Sequence, residues 1–286
     1  MTTSAKTWLI TGCSSGLGAA IAEAALAHGD QVMLTARDPN TLRPIAARWT
    51  AGQARVARLD VTDPATAAQA ISETEAAFGR LDVLVNNAGF GVIGAVEEVS
   101  PTEYRRMFET NVFGLIETTR AALPALRRSR GRIVNLSSGS GVASRAGFGL
   151  YSASKFAVEG LSEALAQEVA PLGIRIILVE PGAFRTEFLG RSMLLAEQRL
   201  PIYEDTASKL REYSSSMSGK QPGDPVRGAA VVFDAVHAQE PPLRLPLGPD
   251  AHRLIRAKLA SVAADLDAWS ERTQGTNFVE PAPSAA

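Results

Sequence analysis

From residue 8 to about residue 180, short apolar runs rich in β-branched residues alternate with longer, alanine-rich stretches. Strands are predicted over residues 8–11, 31–36, 54–61, 81–86, 131–137 and 174–180. Within each run the apolar positions are nearly continuous instead of alternating, the pattern of a strand covered on both faces. Helices are predicted over 16–27, 41–49, 65–78, 102–128 and 151–170. Such alternation closes through right-handed crossovers, so the fold class is α/β, a doubly wound parallel β-sheet flanked by helices on both faces. Past residue 183 the rhythm loosens. Residues 184–223 mix Phe, Leu, Met and Tyr with serine and charge, and read as short helices and a mobile, substrate-facing loop. A helix over 225–239, a last strand over 243–247 and an amphipathic helix over 249–271 follow, with a disordered tail expected over 280–286. No repeat or linker divides the chain, so residues 1–286 are expected to form one domain.

Composition narrows the function classes. The chain has 286 residues, 45% hydrophobic and 21% charged, enough to bury a core without staples. A formal net charge of −1 gives no field that would draw it to nucleic acid or an anionic membrane. Its one cysteine, Cys13, excludes an intramolecular disulfide and fits a reducing compartment. The first residues are polar and lack the apolar core of a secretory signal, and no apolar run is long enough to span a bilayer. A cytoplasmic location is expected. His28, His237 and His252 lie far apart without metal-ligand spacing and read as surface residues, so no metal is expected.

The first strand ends in Thr11-Gly12-Cys13-Ser14-Ser15-Gly16-Leu17-Gly18, where a helix opens. Glycines at 12, 16 and 18 allow a sharp turn and let a pyrophosphate approach without meeting a Cβ. The helix end adds free N–H groups and a positive dipole, and Ser14 and Ser15 can add hydroxyl donors. A plain Gly/Ser turn is the alternative, and Cys13 reads as a small residue that fits. Gly12, Arg37, Asp60, Asn87, Ser138 and Pro181 each fall at the carboxyl end of a different apolar run. Six segments thus converge on the edge where open α/β sheets bind ligands.

Thr-Gly-x-x-x-Gly-x-Gly resembles the short-chain dehydrogenase/reductase family, a Rossmann-fold family. The resemblance covers about residues 6 to 190. It is carried further by Asn86-Asn87-Ala88-Gly89, by Tyr151-Ser-Ala-Ser-Lys155, by Ser138 at the family's spacing before Tyr151, and by Pro181-Gly182 and Thr186. It implies catalytic roles for Ser138, Tyr151 and Lys155. Asn111 would link the lysine to solvent through water, or alternatively bond backbone within its helix. Lys155 would also hold the nicotinamide ribose. Asp60 and Val61 would meet the adenine, unless Asp60 only caps the next segment. Asn87, Ala88 and Gly89 would pass the adenosine ribose, Pro181 and Gly182 would back the nicotinamide, and Thr186 would contact its carboxamide or the phosphates.

Tyr151 and Lys155 share one face of a predicted helix. An ammonium near a phenol favours the phenolate, which brings the tyrosine pKa toward working pH for general acid/base chemistry. At the second strand's end, the position where NAD enzymes keep an acid is Ala36, and Arg37 follows it with a guanidinium suited to the 2′-phosphate of NADP. NADP(H) is therefore expected. Asp38 keeps NAD(H) open, although Pro39 after it suggests a turn role. Substrate contacts are expected from Phe90, Val92, Ser138, Phe148, Phe184, Phe188 and Met193, a lining suited to an apolar ketone or alcohol. Some of these would instead pack loops onto the core. The turn and the long C-terminal part are similar to the branch holding 17β-hydroxysteroid and retinol dehydrogenases. By analogy a homodimer or homotetramer is expected through helices 102–128 and 151–170. The expected activity is NADP(H)-dependent carbonyl reduction or alcohol oxidation. The alternatives are an NAD-dependent dehydrogenase of that branch and a non-catalytic dinucleotide sensor, which could dispense with Tyr151 and Lys155.

Overall fold

The structure, a computed structural model, describes residues 5–278. The expected tail over 280–286 lies outside the described residues. The chain runs β1 (Thr7–Ile10), α1 (Gly16–Ala27), β2 (Gln31–Ala36), α2 (Arg43–Ala46), β3 (Ala54–Arg58), α3 (Pro64–Phe78) and β4 (Val83–Asn86). It continues through β5 (Gly91–Ile93), α4 (Pro101–Phe108), α5 (Gly114–Ser129), β6 (Arg132–Leu136), α6 (Gly149–Val169) and β7 (Arg175–Pro181). The last elements are β8 (Met193–Leu195), α7 (Ala207–Met217), α8 (Pro225–His237), β9 (Arg244–Leu247) and α9 (Pro249–Gln274).

Seven strands form one sheet in the order β3-β2-β1-β4-β6-β7-β9, every neighbouring pair parallel. The order of travel reverses between β1 and β4, which opens a crevice at their carboxyl ends. Alternate residues of each strand serve opposite layers. Trp8 and Ile10 pack with α1 and α8, while Leu9 faces α3 and α5. Both faces are dry, which is why the strands read as unbroken apolar runs. No helix among the described residues is long and apolar enough to cross a membrane.

Four local features differ from the sequence expectation. The helix over 41–49 shrinks to a 3₁₀ turn, Pro39–Leu42, and the short α2, because Pro39 and Pro44 each remove an amide donor. The helix over 102–128 is continuous from Pro101 to Ser129 but widens to a π-turn at Glu109–Phe113. Residues 91–93, outside every predicted strand, form β5, which pairs in parallel with β8 and brings the segment after β7 back over the sheet's edge. A Cβ at Gly91 would fall 2.6 Å from Met193 Sδ, so the bare backbone there leaves room for the Met193 side chain. His237 is not a surface residue: its Nε2 lies 3.1 Å from Asp30 Oδ2, and its ring packs 4.1 Å from that of Phe233.

Candidate active site

A cleft of about 1050 Å³ lies along the carboxyl edge of the sheet, and Gly12, Arg37, Asp60, Asn87, Ser138 and Pro181 all line it. At its head the chain leaves β1 through Gly12 and Gly16, both at φ +64°, a region where side chains are strained. A Cβ at Gly12 would press on Ala88 Cα at 3.1 Å. Gly18 lies inside α1, outside the cleft wall; a Cβ there would meet Asn87 Nδ2 at 2.4 Å. Asn87 Nδ2 donates to the Thr11 and Gly12 carbonyls at 2.9 Å, and the Asn87 and Ala88 amides donate to Thr11 Oγ1 at 2.9 and 3.0 Å. These bonds hold the turn open. Ser15 makes no side-chain cap on α1, and the first turn carries no acidic residue. The amides of that turn, with Ser14, Ser15, Gly16 and Leu17 along the cleft, form a cradle that fits a pyrophosphate.

Farther along, Arg37 is exposed on the cleft wall beside Ala36, and Val61, Ala88 and Gly89 continue that wall. Asp38 is spent on its own turn, where its Oδ1 accepts from the Asn40 amide and Nδ2, each at 3.0 Å. Asp60 lines the cleft, and its Oδ1 accepts from the Thr62 amide at 3.1 Å and hydroxyl at 2.8 Å. Asp60 thus closes a local turn on Thr62, while the cap of α3 is Asp63, whose side chain accepts from the Ala65 amide.

The π-turn brings Asn111 into the interior, where its Oδ1 accepts from the Phe90 amide at 3.0 Å and its Nδ2 donates to the Phe90 carbonyl at 2.8 Å. Nδ2 also reaches Ser154 Oγ at 3.1 Å. Asn111 is thus neither on the cleft wall nor bonded within its own helix. It clamps the strand that begins at Gly91. A Cβ at Gly89 would sit 3.0 Å from Asn111 Oδ1 and 3.7 Å from Lys155 Nζ, so the two side chains flank the same bare backbone.

Tyr151 and Lys155, both buried, rise from the first turns of α6 beside Ser138. The Ser138 hydroxyl accepts from the Ser140 amide at 3.1 Å and lies on the phenol's side of the cleft. Burial pushes the Tyr151 phenol up to about 12, against the opposing pull of the Ser138 hydroxyl and the Arg145 guanidinium. Burial pushes Lys155 down to about 8, while the Glu159 carboxylate one turn on supports its charge. The expected lowering of the phenol by the lysine is therefore corrected. Desolvation outweighs the nearby charges, and Lys155 Nζ donates to the Leu136 carbonyl at 2.7 Å.

Phe90, Phe148, Phe184 and Phe188 line the outer cleft, with Thr186, Pro181 and Gly182 on its floor. Val92 and Met193 do not line it. They are 1% and 4% exposed and pack in the apolar cluster with Phe148 and Tyr151, while Ile93 and Leu194 line the cleft. Packing decides this, and neither 91–93 nor 193–195 was predicted as a strand. Gly182 is bare because Asp250 approaches it: a Cβ would fall 2.2 Å from Asp250 Oδ1, and Asp250 Oδ2 accepts from the Ala183 amide at 2.7 Å.

Sequence reasoning missed several residues. Arg145 lines the cleft with its guanidinium 5.2 Å from the Phe148 ring, which in turn lies 5.3 Å from that of Tyr151. Gln221 lines the cleft with both amide atoms buried and unpaired. Glu98, fully buried, accepts from the Ala95 amide at 2.8 Å, the Leu200 amide at 2.9 Å and Arg211 Nη2 at 3.0 Å. Burial alone would raise its carboxyl, but the Leu200 and Ala95 amides and Arg211 hold it below the usual range. This pair fastens the segment carrying α7 over the cleft. The only sequence signal was an arginine and a glutamate in otherwise mixed stretches.

A phosphate-sized cradle, a cationic strand end and a serine–tyrosine–lysine cluster along one sheet edge define an α/β dinucleotide-binding oxidoreductase. The family model described as short chain dehydrogenase matches residues 6–193. Oxidoreductase BOA17 of Botryotinia fuckeliana is 38% identical over 267 residues, covering 93% of this chain and 97% of that protein. Retinol dehydrogenase 8 of Homo sapiens is 36% identical over 263 residues, covering 85% and 82%. The crystal structure of a short-chain dehydrogenase from Streptomyces avermitilis superposes with a TM-score of 0.89 at 45% identity, over 96% of this chain and 100% of that one. The chain belongs to the short chain dehydrogenase family and is an oxidoreductase of that family.

Proposed function

We propose that this protein is an NADP(H)-dependent oxidoreductase interconverting an apolar ketone and its secondary alcohol, with Tyr151 as general acid and base. The observation that carries this reading is the meeting of Ser138, Tyr151 and Lys155 in the same cleft as the glycine turn. A nicotinamide dinucleotide held there supplies or accepts the hydride. The amides of Gly16 and Leu17, with Ser14 and Ser15, hold the phosphates. Arg37 takes the 2′-phosphate, since Ala36 offers no carboxylate and Asp38 is committed to its turn. Lys155 and Thr186 hold the nicotinamide end, and Asp60 and Val61 the adenine end. The Ser138 hydroxyl orients the substrate oxygen toward the Tyr151 phenol. The protonated phenol donates to the developing alkoxide in reduction, and the same group takes the proton from the alcohol in oxidation. Phe90, Phe148 and Phe188 exclude water and suit a lipophilic substrate, and a relative named for retinol supports that class. The cytoplasm is the proposed compartment, and a homo-oligomer the proposed assembly.

The test mixes the purified protein with NADPH and a panel of hydrophobic ketones and follows reduced-nicotinamide absorbance. Tyr151→Phe is expected to lower kcat by about 100-fold or more while cofactor affinity stays near wild type. An active Tyr151→Phe, or cofactor binding without turnover across the panel, refutes the enzyme reading.

A further inference from the structure

Among the described residues, only the first two turns of α9 are held by the rest of the protein. Ala251 is buried against Gly139, Leu254 and Ile255 are half-buried, and from Arg256 onward the helix is almost wholly exposed. A helix of 26 residues is about 39 Å long, so most of it projects into solvent. Its exposed face is not polar. Leu259, Val262, Leu266 and Trp269 are 59%, 39%, 67% and 57% exposed. With Ile255 they recur at alternating intervals of four and three residues, the repeat of a seam between paired helices. Isolated exposed apolar residues need no explanation, but a stripe of this period does.

We propose that α9 pairs antiparallel with α9 of a second copy of this chain. The charges beside the stripe choose this partner and this direction. Lys258 and Asp265 flank it on the same side. In an antiparallel pair that interleaves Leu259 with Val262, and Ile255 with Leu266, each Lys258 comes beside Asp265 of the second copy, within one helical turn. A parallel pair leaves those two charges without opposite partners, because its flanking contacts fall on Ala263 and Ser270. One surface that is complementary to itself under a two-fold is an isologous interface, which closes as a dimer. An anionic lipid surface fits less well, since the outer half of the helix carries Asp265, Asp267 and Glu271. The interface is separate from the helices α4–α6, and it steadies the helix whose first two turns supply Asp250, Ala251 and Leu254 to the cleft.

The test is sedimentation equilibrium of the full chain. Wild type is expected to dimerise, and Leu259→Glu combined with Leu266→Glu to raise the dimer dissociation constant by more than about tenfold while the far-UV spectrum is kept. Lys258→Asp and Asp265→Lys are each expected to weaken the dimer, and the two together to restore it. Val262→Cys is expected to crosslink two copies on mild oxidation, because burial pushes the Cys13 thiol up to about 12 and keeps it from competing. A monomeric wild type, a dimer indifferent to the paired glutamates, or a charge exchange that fails to restore association overturns the proposal. So does binding to phosphatidylserine vesicles that the same glutamates abolish in a monomeric protein. None of these readouts depends on turnover, so the enzyme reading stands or falls separately.

Discussion

Lys155 combines a function with a folding cost. Its ammonium is buried, and its pKa falls from 10.5 to about 8. Between those values the unfolded chain binds more protons than the folded one, so stability rises with pH across that window. Below pH 8 the buried charge opposes folding in full. Lys155→Met removes that charge and is expected to stabilise the cofactor-free protein at pH 7 by about 1–3 kcal/mol, with the advantage shrinking by pH 10. Thermal midpoints of both proteins at the two pH values check this, and a variant no more stable than wild type at pH 7 refutes it. Turnover by the variant should be lost. Single residues of this kind are legible by pattern: Ser138, Tyr151 and Lys155 stand at a recognisable spacing. What the spacing could not convey is the sign of the Tyr151 shift, because desolvation depends on everything packed around the ring.

At the scale of elements, the segment from β8 through α7 is held over the cleft by the Glu98–Arg211 pair together with the apolar packing of Met193, Ala196 and Leu210. Arg211 also donates to the Ala196 carbonyl at 3.1 Å, so one guanidinium ties several turns of the segment. Removing one partner of a buried ion pair leaves the other charge unmet, which costs about 3–5 kcal/mol. Glu98→Gln is expected to destabilise the protein by that order, and to make residues 196–217 the first site of limited proteolysis. The depressed Glu98 pKa means that this contribution is present above the ordinary carboxylate pKa of about 4.3 and is lost as pH falls through the folded value. Wild type and variant should therefore converge in urea unfolding at low pH, and a constant difference would contradict the latch. Long elements with a steady period, such as α1, α3 and β2, were readable to within a residue or so. β5 and β8 were not, since each is three residues long and exists only through its partner.

For the molecule as a whole, the cleft is assembled from the ends of strands far apart in sequence, so a ligand that spans it binds the folded state alone. NADPH at 100 times its dissociation constant is expected to add about 2.7 kcal/mol of stability. Arg37→Ala should remove much of the NADPH-induced rise in thermal midpoint, through an affinity loss of about tenfold or more, and leave the NADH-induced rise nearly unchanged. Equal losses for the two cofactors would remove the NADP(H) assignment. Strand order is also a property of this scale. The reversal between β1 and β4 sets the glycine turn beside Asn87, and the hydrogen bonds from Asn87 fix the turn's shape.

Residue order alone determined the layered α/β sheet, the glycine turn and the serine–tyrosine–lysine cluster, because each depends on local period, spacing or backbone permissiveness. Tertiary packing alone decided that Asn111 clamps Phe90, that Val92 and Met193 turn away from the cleft, that His237 pairs with Asp30, and that burial drives the Tyr151 and Lys155 pKa values in opposite directions. The physical reason is the same in each case. Local patterns record what a residue can do with its chain neighbours, whereas facing direction, hydrogen-bond partner and desolvation are set by groups that only the fold brings near.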